Sequence, residues 1–225
     1  VTATDTDVGD TITCTATATD TSSESLTSTD SVTVENTSPT FTTNASISPS
    51  SSIVVGSTLT CSATATDADD GSITPTYEWT IGSTTLSTGT TYTVTAADTD
   101  VGDTITCTAT ATDSNSESVT STDSVTVENT SPTFTTDASI SPSSSVVVGS
   151  ELTCSASASD ADDGTITPTY AWSNGTTSLG SGATYTVTAA DTDVGDTITC
   201  TATATDSNSE SVTSTDSVTV ENTAP

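Results

Sequence analysis

The chain has 225 residues, 30 of them acidic and none of them Lys, Arg or His, for a formal charge of −30. Nucleic acid and anionic membrane surfaces are bound through Lys and Arg, so both are excluded as direct partners. There is no His or Lys to serve as a general base or Schiff-base amine, and no run approaches the ~20 apolar residues of a membrane span; the expectation is a non-enzyme with no direct membrane insertion.

High charge with few hydrophobic residues also fits disorder, but the order of the residues argues for sheet. From the amino terminus, DTDVGDTITCTATATD at 5–20 returns unchanged at 98–113 and 191–206. Cys14, Cys107 and Cys200 recur every 93 residues, as do Cys61 and Cys154, and Trp79 and Trp172. Residues 40–132 and 133–225 therefore read as two complete copies of one unit. Residues 1–39 match only its last part, supplying two strands, and the start in mid-repeat reads as a fragment of a longer protein. A fixed period of this size is the mark of a tandem array.

Within a copy the apolar residues alternate with period two, the mark of half-buried antiparallel sheet. In TLTCSATAT (58–66) Leu59, Cys61, Ala63 and Ala65 share one face. TYEWTI (76–81) puts Tyr77, Trp79 and Ile81 inward, TYTVTA (91–96) Tyr92, Val94 and Ala96, and TITCTATAT (104–112) Ile105, Cys107, Ala109 and Ala111. The strands expected per copy are 41–48, 52–55, 58–66, 76–81, 84–87, 91–96, 103–112 and 124–128, separated by Gly, Asp, Ser and Pro turns. That set predicts an all-β sandwich with no helix. The outward threonines 104, 106, 108, 110 and 112 resemble the T-x-T arrays of ice-binding proteins, although Thr is simply a favourable exposed strand residue.

The order Cys61, Trp79, Cys107, repeated as Cys154, Trp172, Cys200, resembles the immunoglobulin-like fold. It is most similar to the tandem immunoglobulin-like repeats of large bacterial surface proteins. Ile105 and Ile198 stand where antibody-type domains carry a tyrosine, so the unit lies outside that group. The resemblance implies one intradomain disulfide per copy, Cys61 with Cys107 and Cys154 with Cys200; two buried free thiols per copy are the alternative. Cys14 is left over, with a partner expected upstream. Disulfides imply an extracellular or cell-surface location.

Three acidic clusters recur: DADDG at 67–71 and 160–164, DTDVGD at 5–10, 98–103 and 191–196, and VEN at 35–36, 128–129 and 221–222 with its preceding Val. In an immunoglobulin-like sandwich the second cluster of one copy faces the first cluster of the next. VENTSPTF (127–134) also resembles a cadherin interdomain linker, and ATDADDG the cadherin acidic loop. By that resemblance Asp98, Asp100, Asp103, Glu128, Asn129, Asp160, Asp162 and Asp163 would hold calcium at one junction. Asp5, Asp7, Asp10, Glu35, Asp67, Asp69 and Asp70 would do so at the other. Ca²⁺ takes six to eight oxygens, but the linker lacks the second acid of the cadherin pattern. Equally, these aspartates are turn-formers and solubilising charges.

Two near-identical copies, neither specialised, point to a structural repeat of an extracellular fibre, filament or adhesin stalk: disulfide-stapled spacers that neighbouring copies of the same chain extend or join. A surface- or glycan-binding module using the variable loops 82–91 and 174–184 is the alternative, although those loops lack the internal aromatics on which sugars stack. Sequons begin at Asn36, Asn44, Asn129 and Asn174, in a chain where Ser and Thr make sequons common by chance.

Overall fold

The computed structural model describes residues 1–223. The chain forms two compact units. One comprises Val1–Ile53, Ser57–Val94 and Asp103–Thr126; the other comprises Val54–Gly56, Thr95–Gly102 and the chain from Val127 onward. Every strand pair is antiparallel, and among the described residues no helix forms.

The first unit holds β1 (Thr11–Thr19), β2 (Ser25–Thr33), β3 (Thr40–Ser48), β4 (Thr58–Asp67), β5 (Gly71–Ile73), β6 (Thr76–Ile81), β7 (Thr84–Thr88), β8 (Thr91–Thr93), β9 (Thr104–Thr112) and β10 (Ser118–Thr126). β3–β4–β5 make one layer, with β8 also on β4, and β10–β9–β6–β7 make the other. β1 and β2 pair only with each other. The second unit repeats the two layers with β11 (Thr133–Ser141), β12 (Glu151–Asp160), β13 (Gly164–Ile166), β14 (Thr169–Asn174), β15 (Thr177–Ser181), β16 (Thr184–Thr186), β17 (Thr197–Thr205) and β18 (Ser211–Thr219). This strand order is that of an immunoglobulin-like sandwich, so the chain is a tandem array of such domains.

Alternation decides which residues form the core. On β4 and β9, Leu59, Cys61, Ala65, Ile105, Cys107, Ala109 and Ala111 are buried while the intervening threonines face outward. The Cys61–Cys107 and Cys154–Cys200 disulfides cross between the layers. Trp79 lies directly beside Cys107 in the β6–β9 register and is fully buried. Its indole Nε1–H donates to Gly89 O at 2.9 Å. A side chain of this size contributes about 5 kcal/mol by area alone, much in a core otherwise built of alanine. The Tyr77 hydroxyl joins the layers by accepting the Ala63 N–H at 2.9 Å.

Four sequence expectations are corrected. Residues 52–55 form no strand, only a single bridge at Ile53; the matching stretch of the second unit makes one parallel bridge, Val146 to Val220. The last strand spans 118–126 rather than 124–128. Its inner positions include Ser121 and Asp123, which broke the apolar pattern because they accept the N–H groups of Ala45 (2.9 Å) and Ile47 (2.8 Å) on β3. The short β5 was not anticipated. Ala96 is exposed, because β8 ends at Thr93 and the chain turns as the Thr99 N–H bonds Thr95 O at 3.1 Å.

Candidate functional site

The inward alternation of β4 runs on past Ala65 to Asp67, and that of β9 past Ala111 to Asp113. Both carboxylates are therefore buried, at 5% and 7% exposure. Buried charge needs donors, and with no basic side chain these must be N–H and O–H groups. Asp67 Oδ1 accepts the N–H of Asp69 (2.7 Å) and Asp70 (3.0 Å), which folds DADDG into a tight turn. Asp113 Oδ1 accepts the Glu117 N–H at 2.8 Å.

The remaining oxygens hold the connecting segment. Asp69 Oδ2 accepts both the Thr37 N–H (2.8 Å) and the Thr37 hydroxyl (2.7 Å). Asn36 Nδ2–H donates to Asp113 Oδ2 at 2.9 Å, and the Ser38 hydroxyl donates to the Glu117 carboxylate. Asp70 accepts the Ser114 N–H and hydroxyl at 2.7 and 2.8 Å. The second unit repeats every bond. Thr130 N–H and hydroxyl donate to Asp162 Oδ2 at 2.7 and 2.6 Å, Asn129 Nδ2–H to Asp206 Oδ2 at 3.0 Å, and Ser131 to Glu210. Asp163 holds Ser207 as Asp70 holds Ser114. These charge-assisted bonds are the stronger kind.

The same bonds shift protonation. The Asn36 amide, against burial and with the backbone N–H groups of Glu117, Asn115 and Ser116, holds the Asp113 carboxyl below its ordinary value. Asn129 does the same for Asp206, with the N–H groups of Glu210, Asn208 and Ser209. Asp196 is lowered by the Asp193 N–H and then by Asn174.

The residues expected to gather around calcium are partly brought together. In the first unit Asp7 borders a cleft of about 210 Å³ with Asp69, Asp70, Ser114 and Asn115. In the second, Asp100 borders one of about 180 Å³ with Asp162, Asp163, Ser207 and Asn208. Others serve local turns: Asp5 accepts the Thr2 hydroxyl, Asp10 the Asp7 N–H, and Asp98 the Thr95 hydroxyl. Asp67 and Asp160 lie buried beneath the linkers, Asp103 is half-buried, and Glu35 and Glu128 are exposed. Asn129 is turned to Asp206. Among the described residues, no group of three or more Asp, Glu or Cys side chains is arranged to hold a metal ion. Yet Asn36 Oδ1, Asn129 Oδ1 and Asp162 Oδ1 are buried with no hydrogen-bond partner. An acceptor oxygen left this way costs about 1–3 kcal/mol, and a hard cation is one group that would satisfy it.

Sequence reasoning gave Asp113 and Asp206 no hydrogen-bonding role and missed Glu117, Glu210, Thr37 and Thr130. The signal lay in the period: the inner strands run into Ala-Thr-Asp, or Ala-Ser-Asp on β12, which carries an acid into an inward position. Three of the four sequon asparagines are engaged, Asn36 and Asn129 as described and Asn174 with Asp196 Oδ2 at 2.6 Å; Asn44 is exposed.

No protein-family model and no curated protein sequence matches the chain. Solved structures do resemble it. Three amino-terminal domains of the bacteriophage RB49 Highly Immunogenic Outer Capsid protein are 16% identical over 93% of this chain and 78% of that one, TM-score 0.32. Mouse protocadherin-24 EC1-3 is 17% identical over 95% and 80%, TM-score 0.35. A Ca²⁺-stabilized adhesin with which an Antarctic bacterium binds ice is 19% identical over 94% of this chain and 56% of that one, TM-score 0.32. At such scores these are likenesses of form; the immunoglobulin-like assignment rests on the strand order and the cross-layer disulfides of this chain.

Proposed function

We propose that the chain is a run of non-catalytic spacer domains from an extracellular or cell-surface fibre, filament or adhesin stalk. In this reading the complete repeats are 40–132 and 133–225, part of another is 1–39, and neighbouring copies of the same chain are the partners. The observation that supports it is the binding of each connecting segment to loop carboxylates of its own unit, Thr37 to Asp69 and Thr130 to Asp162. A segment tied down in this way loses the free swing of a polar linker, as a load-carrying spacer requires. Tandem immunoglobulin-like domains stapled by disulfides fit a structural repeat, and such disulfides persist in oxidising compartments.

In the same reading Ca²⁺ stiffens the junctions. Asp7 with Asp69 and Asp70, and Asp100 with Asp162 and Asp163, supply oxygens on each cleft. The orphaned Asn129 Oδ1 and Asp162 Oδ1 support this part. A bound divalent ion would offset carboxylate repulsion that no side-chain cation in the sequence can offset.

Single-molecule stretching tests the spacer reading. Each oxidised domain withholds the 46-residue loop between its cysteines. Reduction should therefore lengthen each unfolding step by about 160 Å, at ~3.5 Å per residue. Steps of equal length before and after reduction, or a sequence-specific glycan-array hit for the folded chain, would count against it.

A further inference from the structure

Asn174 is the one asparagine of the sequence that is followed by glycine. It ends β14 opposite Thr177 of β15, and Gly175 and Thr176 make the two-residue turn between the strands. Gly175 has φ +54°, which suits glycine at the first position of such a turn. The equivalent turn of the first unit has Gly82 at φ +55°, but the residue before it is Ile81. Ile81 stands opposite Ile105, and Asn174 stands opposite Ile198. An amide thus occupies a position that is apolar in the other copy.

That amide ties the turn to the acidic loop 191–196. Asn174 Nδ2–H donates to Asp196 Oδ2 at 2.6 Å and to Asp191 O at 3.2 Å. Asp196 Oδ2 also accepts the Asp193 N–H at 2.8 Å. The Asp193 N–H and then Asn174 hold the Asp196 carboxyl below its ordinary value, so it meets the amide as an anion. The tie depends on one atom, the side-chain nitrogen of Asn174. In an Asn-Gly pair that nitrogen is also a leaving group, because glycine has no Cβ to shield the backbone nitrogen that displaces it. Gly175 is exposed and Asn174 half-buried.

We propose that Asn174 is a self-modification site, at which the chain loses ammonia and gains a carboxylate facing Asp196. The Gly175 nitrogen attacks Asn174 Cγ, and the new C–N bond closes a succinimide ring. The Cγ–Nδ2 bond breaks, and its nitrogen leaves as ammonia with the proton of the Gly175 N–H. Water then opens the ring at either carbonyl, leaving aspartate or isoaspartate; nothing is oxidised or reduced. The product sets a carboxylate against the Asp196 carboxylate and the Asp191 carbonyl, with no basic side chain in the sequence to offset it. An attraction between turn and loop becomes a repulsion, in a step that does not reverse. Until then the two Nδ2 bonds restrain Cγ, so the fold sets the rate. Ile81 has no such chemistry, and the corresponding turn of the first unit is inert. This inference rests on neither the spacer nor the calcium reading.

The test incubates the whole chain in warm, mildly alkaline buffer and follows it by peptide mapping and thermal melting. Mapping should find the amide-to-acid mass gain at Asn174 ahead of every other asparagine, with isoaspartate among the products. Conversion should be at least about tenfold slower than in a free peptide of the sequence 170–180, where no charge-assisted bond holds the amide. The melting transition of the second unit should fall as conversion proceeds, while that of the first stays in place. Asn174→Asp, made directly, should reproduce the fall. Adding Asp196→Asn, which again sets one amide against one carboxylate, should recover most of it. Conversion no faster at Asn174 than at other asparagines, a rate equal to that of the peptide, or a glycan on Asn174 of native material would each overturn the proposal. So would a second transition unmoved by conversion or by Asn174→Asp, or no recovery in the exchanged pair.

Discussion

Asn129 donates its side-chain N–H to Asp206 Oδ2 at 3.0 Å, and 93 residues earlier Asn36 donates to Asp113 Oδ2 at 2.9 Å. In both cases a linker amide closes on an acid that ends an inner strand. Replacing Asn129 by Ala leaves the Asp206 carboxylate short of a donor, which should destabilise the second unit. Chemical denaturation of Asn129→Ala against the wild type measures this; a loss under a few tenths of a kcal/mol would mean that the bond is not a fixed part of the fold.

Both acids also give the fold a pH dependence of definite sign. Their folded pKa values lie below the ordinary carboxyl value, the asparagine amides being the leading cause. The stability they confer is thus complete above the unfolded value, near 3.9, and is lost as pH falls through the folded one. Net charge works the other way, because protonating carboxylates relieves the repulsion of −30. The informative quantity is therefore a difference. Asp113→Asn with Asp206→Asn should lose less stability than the wild type between about pH 4 and pH 2, followed by thermal melts. Identical acid limbs would remove these two residues from the account.

The disulfides carry much of the stability of an alanine-rich core. Closing a loop of 46 residues stabilises by about 4 kcal/mol in the chain-entropy model. Cys61→Ser with Cys107→Ser should cost the first unit roughly that and leave the second unit's transition in place. A cost below about 1 kcal/mol would show that packing alone suffices.

Trp79 offers a finer probe. Trp79→Phe keeps most of the buried area but removes the Nε1–H that meets Gly89 O at 2.9 Å. Added to the smaller ring, the loss should be about 1–3 kcal/mol, against about 3–5 for Trp79→Ala. Equal losses for the two variants would mean that the indole hydrogen bond outweighs the packing.

Calcium and bulk salt must be separated. Any salt should raise the melting temperature by screening carboxylate repulsion, with a Debye length of about 10 Å at 0.1 M. Specific binding predicts a further rise with Ca²⁺ at matched ionic strength, reversed by chelator and lost in Asp100→Asn with Asp162→Asn. A rise matched by Mg²⁺ and indifferent to those substitutions would leave the loops as hydrogen-bond acceptors only.

The sheet was legible because threonine and the small apolar residues alternate without error, and the cysteine–tryptophan–cysteine order carried the likeness to an immunoglobulin sandwich. The last strand was harder to see. Ser121 and Asp123 sit inward, where period two calls for apolar residues, because β3 docks through its backbone. The acids of the loops, Asp67 among them, were visible as clusters; that Asp67 and Asp113 continue the inward faces of their strands and so lie buried was not. Thr37 and Thr130, unremarkable in a threonine-rich chain, are the donors that Asp69 and Asp162 select.

Hydrogen exchange at the Thr37 and Thr130 amides tests the central claim most directly. If loop carboxylates hold the connecting segments, both amides should exchange at least about tenfold slower than an unprotected peptide. That protection should vanish at Thr37 in Asp69→Ala and at Thr130 in Asp162→Ala. Free-peptide exchange rates at both positions in the wild-type chain would contradict it.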